Sequence, residues 1–183
     1  MNFDRFAHGL DYDAFLARHA NDVQKERWRN FHAQVRLTDV QRALLARFTR
    51  TMPVLCLAGA WCGDCVNQCP IFAHFAAVTP TIQLRFVDRD EHADVQKELQ
   101  ICGGNRVPVV VFFSEDGFEV ARYGDRTLSK YRALTQELAG STCPTGIGRD
   151  PLVDAVTQDW LDQFERAQWI LRMSGRLRQK HND

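Results

Sequence analysis

The chain has 183 residues, 45% of them apolar and 25% charged, which is enough to bury one well-formed core, so a single domain over residues 1–183 is expected. Lys plus Arg and Asp plus Glu both number 23, and the resulting net charge of zero leaves no field to draw nucleic acid or an anionic membrane surface. No apolar run reaches the ~18 residues of a membrane span, and MNFDRFAHGL has neither the basic start nor the apolar stretch of a secretion signal, so the expected compartment is the cytoplasm.

Residues 1–52 read as a helical extension with no strand-like run. Tyr12, Phe15, Leu16 and His19 share one face, as do Trp28, Phe31 and Val35, and Thr38-Asp39-Val40-Gln41 has the form of a capping box before Leu44, Leu45 and Phe48. Pro53 to Ala58 is a short apolar run that reads as a buried strand, and Gly59 and Gly63 supply the loose backbone of a turn. Helical spacing follows, with Cys65, Cys69, Phe72 and Ala76 on one face.

Ile82 to Val87 is the second strand, and Glu91 to Ile101 a helix with Val95 and Leu99 inward, broken by Gly103-Gly104. Val109 to Phe113 and Phe118 to Tyr123 flank Ser-Glu-Asp-Gly and should form an antiparallel hairpin. Thr127 to Ala139 is the closing helix, with Leu128, Tyr131, Leu134 and Leu138 buried and Gly140 as its stop. The order predicts an α/β core over 53–140, a central mixed sheet flanked by helices. Residues 141–183 are a turn-rich linker (141–149) and a C-terminal helix. Asp150-Pro151 starts that helix, and Val153, Val156, Trp160, Phe164, Ala167 and Leu171 form an apolar stripe expected to pack back on the core. The tail RLRQKHND reads as frayed.

Within this frame Trp61-Cys62-Gly63-Asp64-Cys65 places two cysteines at a strand-to-helix junction, the arrangement of a redox couple. Cys62 at a helix N-terminus would be the nucleophilic thiolate, and Cys65, one turn further in, the buried partner that resolves a mixed disulfide. The alternative is a loop that keeps the fold without redox work. Asp64 disfavours a nearby thiolate and makes the pair more reducing, unless Arg106 or Arg126 approaches and cancels its charge. Cys69 and Cys56 read as small core residues, with an alternative disulfide open to Cys69, while Cys102 and Cys143 fall in loops. The six cysteines as a set read as thiols of a reducing compartment rather than a disulfide framework.

The run LAGAWCGDC, with Pro70 after the second cysteine, resembles the active-site strand, loop and helix of thioredoxins, and Val107-Pro108 before VVVFF resembles their cis-proline loop. The resemblance covers residues 53–139. Together with Arg89-Asp90, Arg106 and Tyr123-Gly124-Asp125-Arg126, it looks most like a divergent bacterial branch. It implies a thioredoxin-like fold and thiol–disulfide exchange, with Cys62 and Cys65 catalytic and Trp61, Gly63, Asp64, Val107 and Pro108 binding the substrate chain. It also implies that the buried aspartate usual six residues before the first cysteine is replaced by Cys56. No cofactor is required, only a disulfide-bearing protein or small thiol substrate and an external electron donor, acting on a monomer or weak dimer.

Two other classes of function stay open. One is a non-catalytic binding module in which the added helices make a partner surface, favoured if the CxxC helix is covered by the C-terminal helix. The other is a thiolate metal carrier, since Cys62-x2-Cys65-x3-Cys69-Pro70 is close to iron–sulfur and copper-delivery spacings. The six histidines form no ligand pair such as HxxxH, so no metal is expected.

Overall fold

Met52–Ala58 (β1) is apolar along its length and buried at every position, as a strand covered on both faces must be. In the computed structural model, which describes residues 1–138 and 151–183, β1 lies inside a four-stranded sheet. Ile82–Asp88 (β2) pairs with it in parallel, Val109–Phe113 (β3) pairs on its other side antiparallel, and Glu119–Gly124 (β4) completes the order β2-β1-β3-β4. β3 is likewise buried throughout, whereas the edge strands are partly exposed. The hairpin at Ser114-Glu115-Asp116-Gly117 turns on Gly117, whose φ of +85° suits a residue without a Cβ.

A 3₁₀ turn at Phe3–His8 and three helices, Tyr12–His19 (α1), Asp22–His32 (α2) and Asp39–Ala46 (α3), precede the sheet. Both halves of the capping box form at Thr38 and Gln41, as the sequence predicts. The segment before α1 lies along the free edge of β2, where Leu10 and Phe86 exchange backbone hydrogen bonds of 2.8 and 2.7 Å. Gly9 permits that approach, since a Cβ there would meet Arg85 Cβ at 2.6 Å. An edge that would otherwise be open to pairing with another chain is thereby covered.

The helix expected after Cys62 is not continuous. Gly63–Val66 (α4) is a single turn, Gln68 leaves helical geometry, and Cys69–Val78 (α5) starts afresh with Pro70 in its first turn. Pro70 has no N–H to give and its ring would crowd the carbonyl four residues back, so a single helix through it is disfavoured. The helix expected over 91–101 shortens to Ala93–Glu98 (α6), because Cys102 and Gly103 take left-handed backbone and Ile101 and Gly104 bond each other in a tight turn.

The remaining helices are Leu128–Leu138 (α7), Pro151–Met173 (α8) and Gly175–His181 (α9). In α7, Leu134 is half-buried but Leu128 and Tyr131 are exposed, contrary to expectation. The helix is turned so that the Ser129 N–H donates to Asp159, and the Tyr131 hydroxyl reaches Asp125. The expected linker, Cys143, the Asp150 cap and the Gly140 stop lie outside the described residues.

All six stripe positions of α8 are buried. Trp160 meets Phe72 at 4.5 Å and Tyr123 at 5.0 Å, and Phe164 meets Phe75 at 5.2 Å and Phe112 at 4.9 Å, so α8 closes the core over α5 and the β3–β4 side of the sheet. Gln168 adds backbone bonds to Arg50. The tail is ordered instead of frayed: Ser174 caps α9, Leu177 is buried, and Asp183 pairs with Arg50 and Arg172. Among the described residues no helix is long and apolar enough to cross a membrane.

Candidate active site

Cys62 stands at the N-cap of α4, half-buried, with its sulfur 3.7 Å from the Val107 carbonyl oxygen. The Val107–Pro108 peptide bond is cis. Cys65 is fully buried one turn on, its sulfur receiving the Gly59 N–H at 3.4 Å and near enough to Cys62 for each to govern the other's ionisation. The structure therefore brings Cys62, Cys65 and the Val107-Pro108 loop together. A Cβ at Gly63 would meet nothing within 4 Å, so the loop is open at that residue.

Trp61 is 44% exposed and folds back over Gly59, where any Cβ would meet the indole at 2.8 Å. Its ring is fixed from the other side. The Arg89 guanidinium lies 4.4 Å over it, the indole N–H donates to Asp90, and Arg89 also donates to Asp90 and to the Asn105 carbonyl. Arg89 and Asp90 thus hold the tryptophan against the chain leading to Arg106 and Val107. From below, the buried Trp28 indole of α2 donates to the Ala60 carbonyl at 2.9 Å, tying the helical extension to the loop that carries the cysteines.

Of the two arginines considered for Asp64, Arg126 is the one that reaches it, with Nε and a terminal guanidinium nitrogen at 2.9 and 2.8 Å. Arg106 turns instead to Asp125, which is buried and also accepts from the Tyr131 hydroxyl at 2.5 Å. Burial opposes the Asp125 charge, but the bonds from Tyr131 and Arg106 outweigh it and hold its carboxyl below the usual range. Gln68, at the break between α4 and α5, donates to the Asp64 and Asp125 carbonyl oxygens and accepts the Trp160 indole N–H at 2.8 Å. From sequence, Gln68, Asp125, Tyr131 and Trp160 had no part in the site, Tyr131 and Trp160 being read only as packing positions, although Tyr123-Gly124-Asp125-Arg126 stood out as a motif. A cleft of about 220 Å³ beside Asp64 is lined by Phe31, Gln68 and Val153 but by neither Cys62 nor Pro108.

The two sulfurs share a proton. The hydrogen bond with Cys65, then burial, raises the Cys62 thiol, outweighing help from the N–H groups of Cys65 and Asp64. Burial opposes ionisation of Cys65, yet hydrogen bonds from Cys62, Cys69 and the Gly59 N–H bring it down to about 5, against a smaller opposing effect of the Asp64 charge. The first proton of the pair is thus lost in mild acid and the second is held. The ultraviolet thiolate absorbance of the reduced protein, which reports a buried sulfur as well as an exposed one, should therefore reach half its first plateau at about pH 5, where an ordinary thiol would still be rising past pH 8. Arg126→Ala leaves the Asp64 charge uncompensated and should move that midpoint upward, lowering the thiolate absorbance at pH 6. An unmoved midpoint would mean that Arg126 does not screen Asp64.

Cys56 is fully buried with its sulfur 3.9 Å from that of Cys69, and Cys102 is exposed in the turn after α6. Among the described residues no three His, Cys, Asp or Glu side chains are grouped to hold a metal ion.

No curated protein matches the chain. Among solved structures, a protein of unknown function from Pseudomonas aeruginosa is similar, with 19% identity over 91% of this chain and 92% of that one and a TM-score of 0.64. An HIV epitope-scaffold is 18% identical over 86% of this chain and 95% of its own, with a TM-score of 0.65. Both likenesses are of fold. A thioredoxin from Fasciola hepatica is 26% identical over 52% of this chain and 88% of its own, with a TM-score of 0.36. A family model described as thioredoxin matches residues 9–137, which takes in α1 to α3 as well as the sheet, and so the chain belongs to the thioredoxin family.

Proposed function

We propose that the protein is a thiol–disulfide oxidoreductase working through Cys62 and Cys65. The observation that carries this reading is the pairing of half-buried Cys62, its sulfur beside the Val107 carbonyl, with the fully buried Cys65 one helical turn on. Cys65, as the resting thiolate, takes the Cys62 proton while Cys62 attacks a substrate disulfide. One substrate sulfur leaves as a thiolate that takes a proton from solvent, and the other stays bonded to Cys62. Cys65 then loses its proton and attacks the Cys62 sulfur, releasing the second substrate thiol and leaving a Cys62–Cys65 disulfide. An external donor returns two electrons and two protons to complete the cycle.

The substrate is a disulfide-bearing polypeptide or small thiol compound, with its chain laid along Val107-Pro108 and its apolar side against Trp61. Such a cycle belongs in a reducing compartment, the cytoplasm, where a donor keeps the dithiol reduced. The access left to Cys62 favours exchange over a binding module, since α8 packs on α5 and the sheet and leaves the sulfur half-exposed. Turnover of a fluorescent peptide disulfide with dithiothreitol as donor tests the reading. Catalysis above the donor alone is expected, and a rate equal to the donor alone would overturn it.

A further inference from the structure

Beneath the outer dithiol lie two thiols that the exchange step does not use. Cys69 opens α5 and Cys56 sits in the middle of β1; both are fully buried. Their sulfurs are 3.9 Å apart, and the charge of the Cys65 sulfur acts on both. Cys65 is the neighbour that the half-buried Cys62 and the interior pair have in common. Small apolar packing requires no such arrangement, since a buried thiol is satisfied by any close neighbours. Neither interior sulfur is open to an external disulfide, so any oxidant must reach them through Cys65.

We propose that Cys56 and Cys69 form a second, interior redox couple whose substrate is the protein's own Cys62–Cys65 disulfide, so that the molecule holds two electron pairs. The proposal rests on the exchange reading of the outer pair. In the first step the Cys69 sulfur attacks Cys65, the Cys62–Cys65 bond breaks, and a Cys65–Cys69 bond forms with Cys62 leaving. In the second, Cys56 attacks Cys69, the Cys65–Cys69 bond breaks, and a Cys56–Cys69 disulfide forms with Cys65 leaving. Two electrons move outward, and the two protons of Cys56 and Cys69 end on Cys62 and Cys65. No other oxidant or acceptor is required.

The surroundings suit the interior disulfide. Burial raises both interior thiols, Cys69 well above the ordinary range. A thiolate is costly there, while a disulfide is uncharged and apolar. The same burial makes the inward transfer slower than exchange at the surface.

The test is a time course of the fully reduced protein in excess oxidised glutathione, quenched in acid, with free thiols labelled by N-ethylmaleimide and each cysteine mapped by mass spectrometry. In the native sequence Cys62 and Cys65 should be lost first, followed by Cys56 and Cys69 as a linked peptide pair. Cys62→Ser should slow loss of the interior pair at least about tenfold, because the outer disulfide can no longer form. Cys69→Ala should stop oxidation at the outer two thiols. Interior thiols that persist after the outer disulfide is complete would overturn the proposal, as would interior oxidation at an equal rate in Cys62→Ser. If the outer disulfide never forms, it is the exchange reading that fails; interior oxidation appearing regardless would then overturn the relay as well.

Discussion

Cys62→Ser should reduce catalysed disulfide reduction by on the order of 10³-fold or more, to the rate of the donor alone. The serine hydroxyl keeps the size and the place at the N-cap of α4 but is no nucleophile toward sulfur at neutral pH. Cys65 is fully buried beneath it and cannot take over the first attack. The variant should fold, because position 62 is half-buried and its side chain makes no N-cap hydrogen bond. Activity that survived the change would show that a different sulfur starts the reaction, the exposed Cys102 being the accessible one among the described residues.

Trp160→Ala should cost about 3–5 kcal/mol of stability, the range for emptying a fully buried aromatic site. The indole packs edge-on against Phe72 and Tyr123, and its N–H bonds Gln68, so removal opens a cavity and leaves a buried amide oxygen without its donor. Gln68 in turn holds the backbone of Asp64 and Asp125, and the loss should reach the dithiol as well as the core. Urea unfolding read by circular dichroism measures the first effect and peptide-disulfide turnover the second. A change below about 1 kcal/mol would mean that α8 is only loosely applied to the sheet.

What the sequence made legible was chiefly local. The pair of cysteines, the Val107-Pro108 loop, the hairpin and the capping box at Thr38 are each written within a few residues, where spacing and turn chemistry act directly. The stripe on α8 was readable because helical periodicity reports a buried face, although not the surface that covers it. The partner of Asp64 was not decidable in this way. Arg106 and Arg126 lie on different loops, and the choice is made by Asp125, which draws Arg106 away. Gln68 stayed unread for a similar reason: its partners Asp125 and Trp160 are 57 and 92 residues distant. The break between α4 and α5 was signalled by Pro70, but the apolar stripe running across it masked the signal. In the tail, the basic run hid a Ser174 cap and one buried leucine, Leu177, which are enough to seat a short helix when Asp183 is clamped by two arginines.

Pairing of Asp64 with Arg126 also bears on redox poise. A carboxylate left alone beside the dithiol would penalise the thiolate and make the couple more reducing, whereas the guanidinium cancels that penalty. The potential should accordingly lie at or above about −270 mV, the thioredoxin reference, and below the far more oxidising values of periplasmic oxidants. Equilibration of the protein against a dithiothreitol or glutathione series, with each cysteine mapped by thiol trapping and mass spectrometry, tests the central claim most directly. A reversible two-electron transition at Cys62 and Cys65 in that range is the expected result. Thiols at Cys62 and Cys65 that stay reduced across the series, or that oxidise only with partners other than each other, would contradict it.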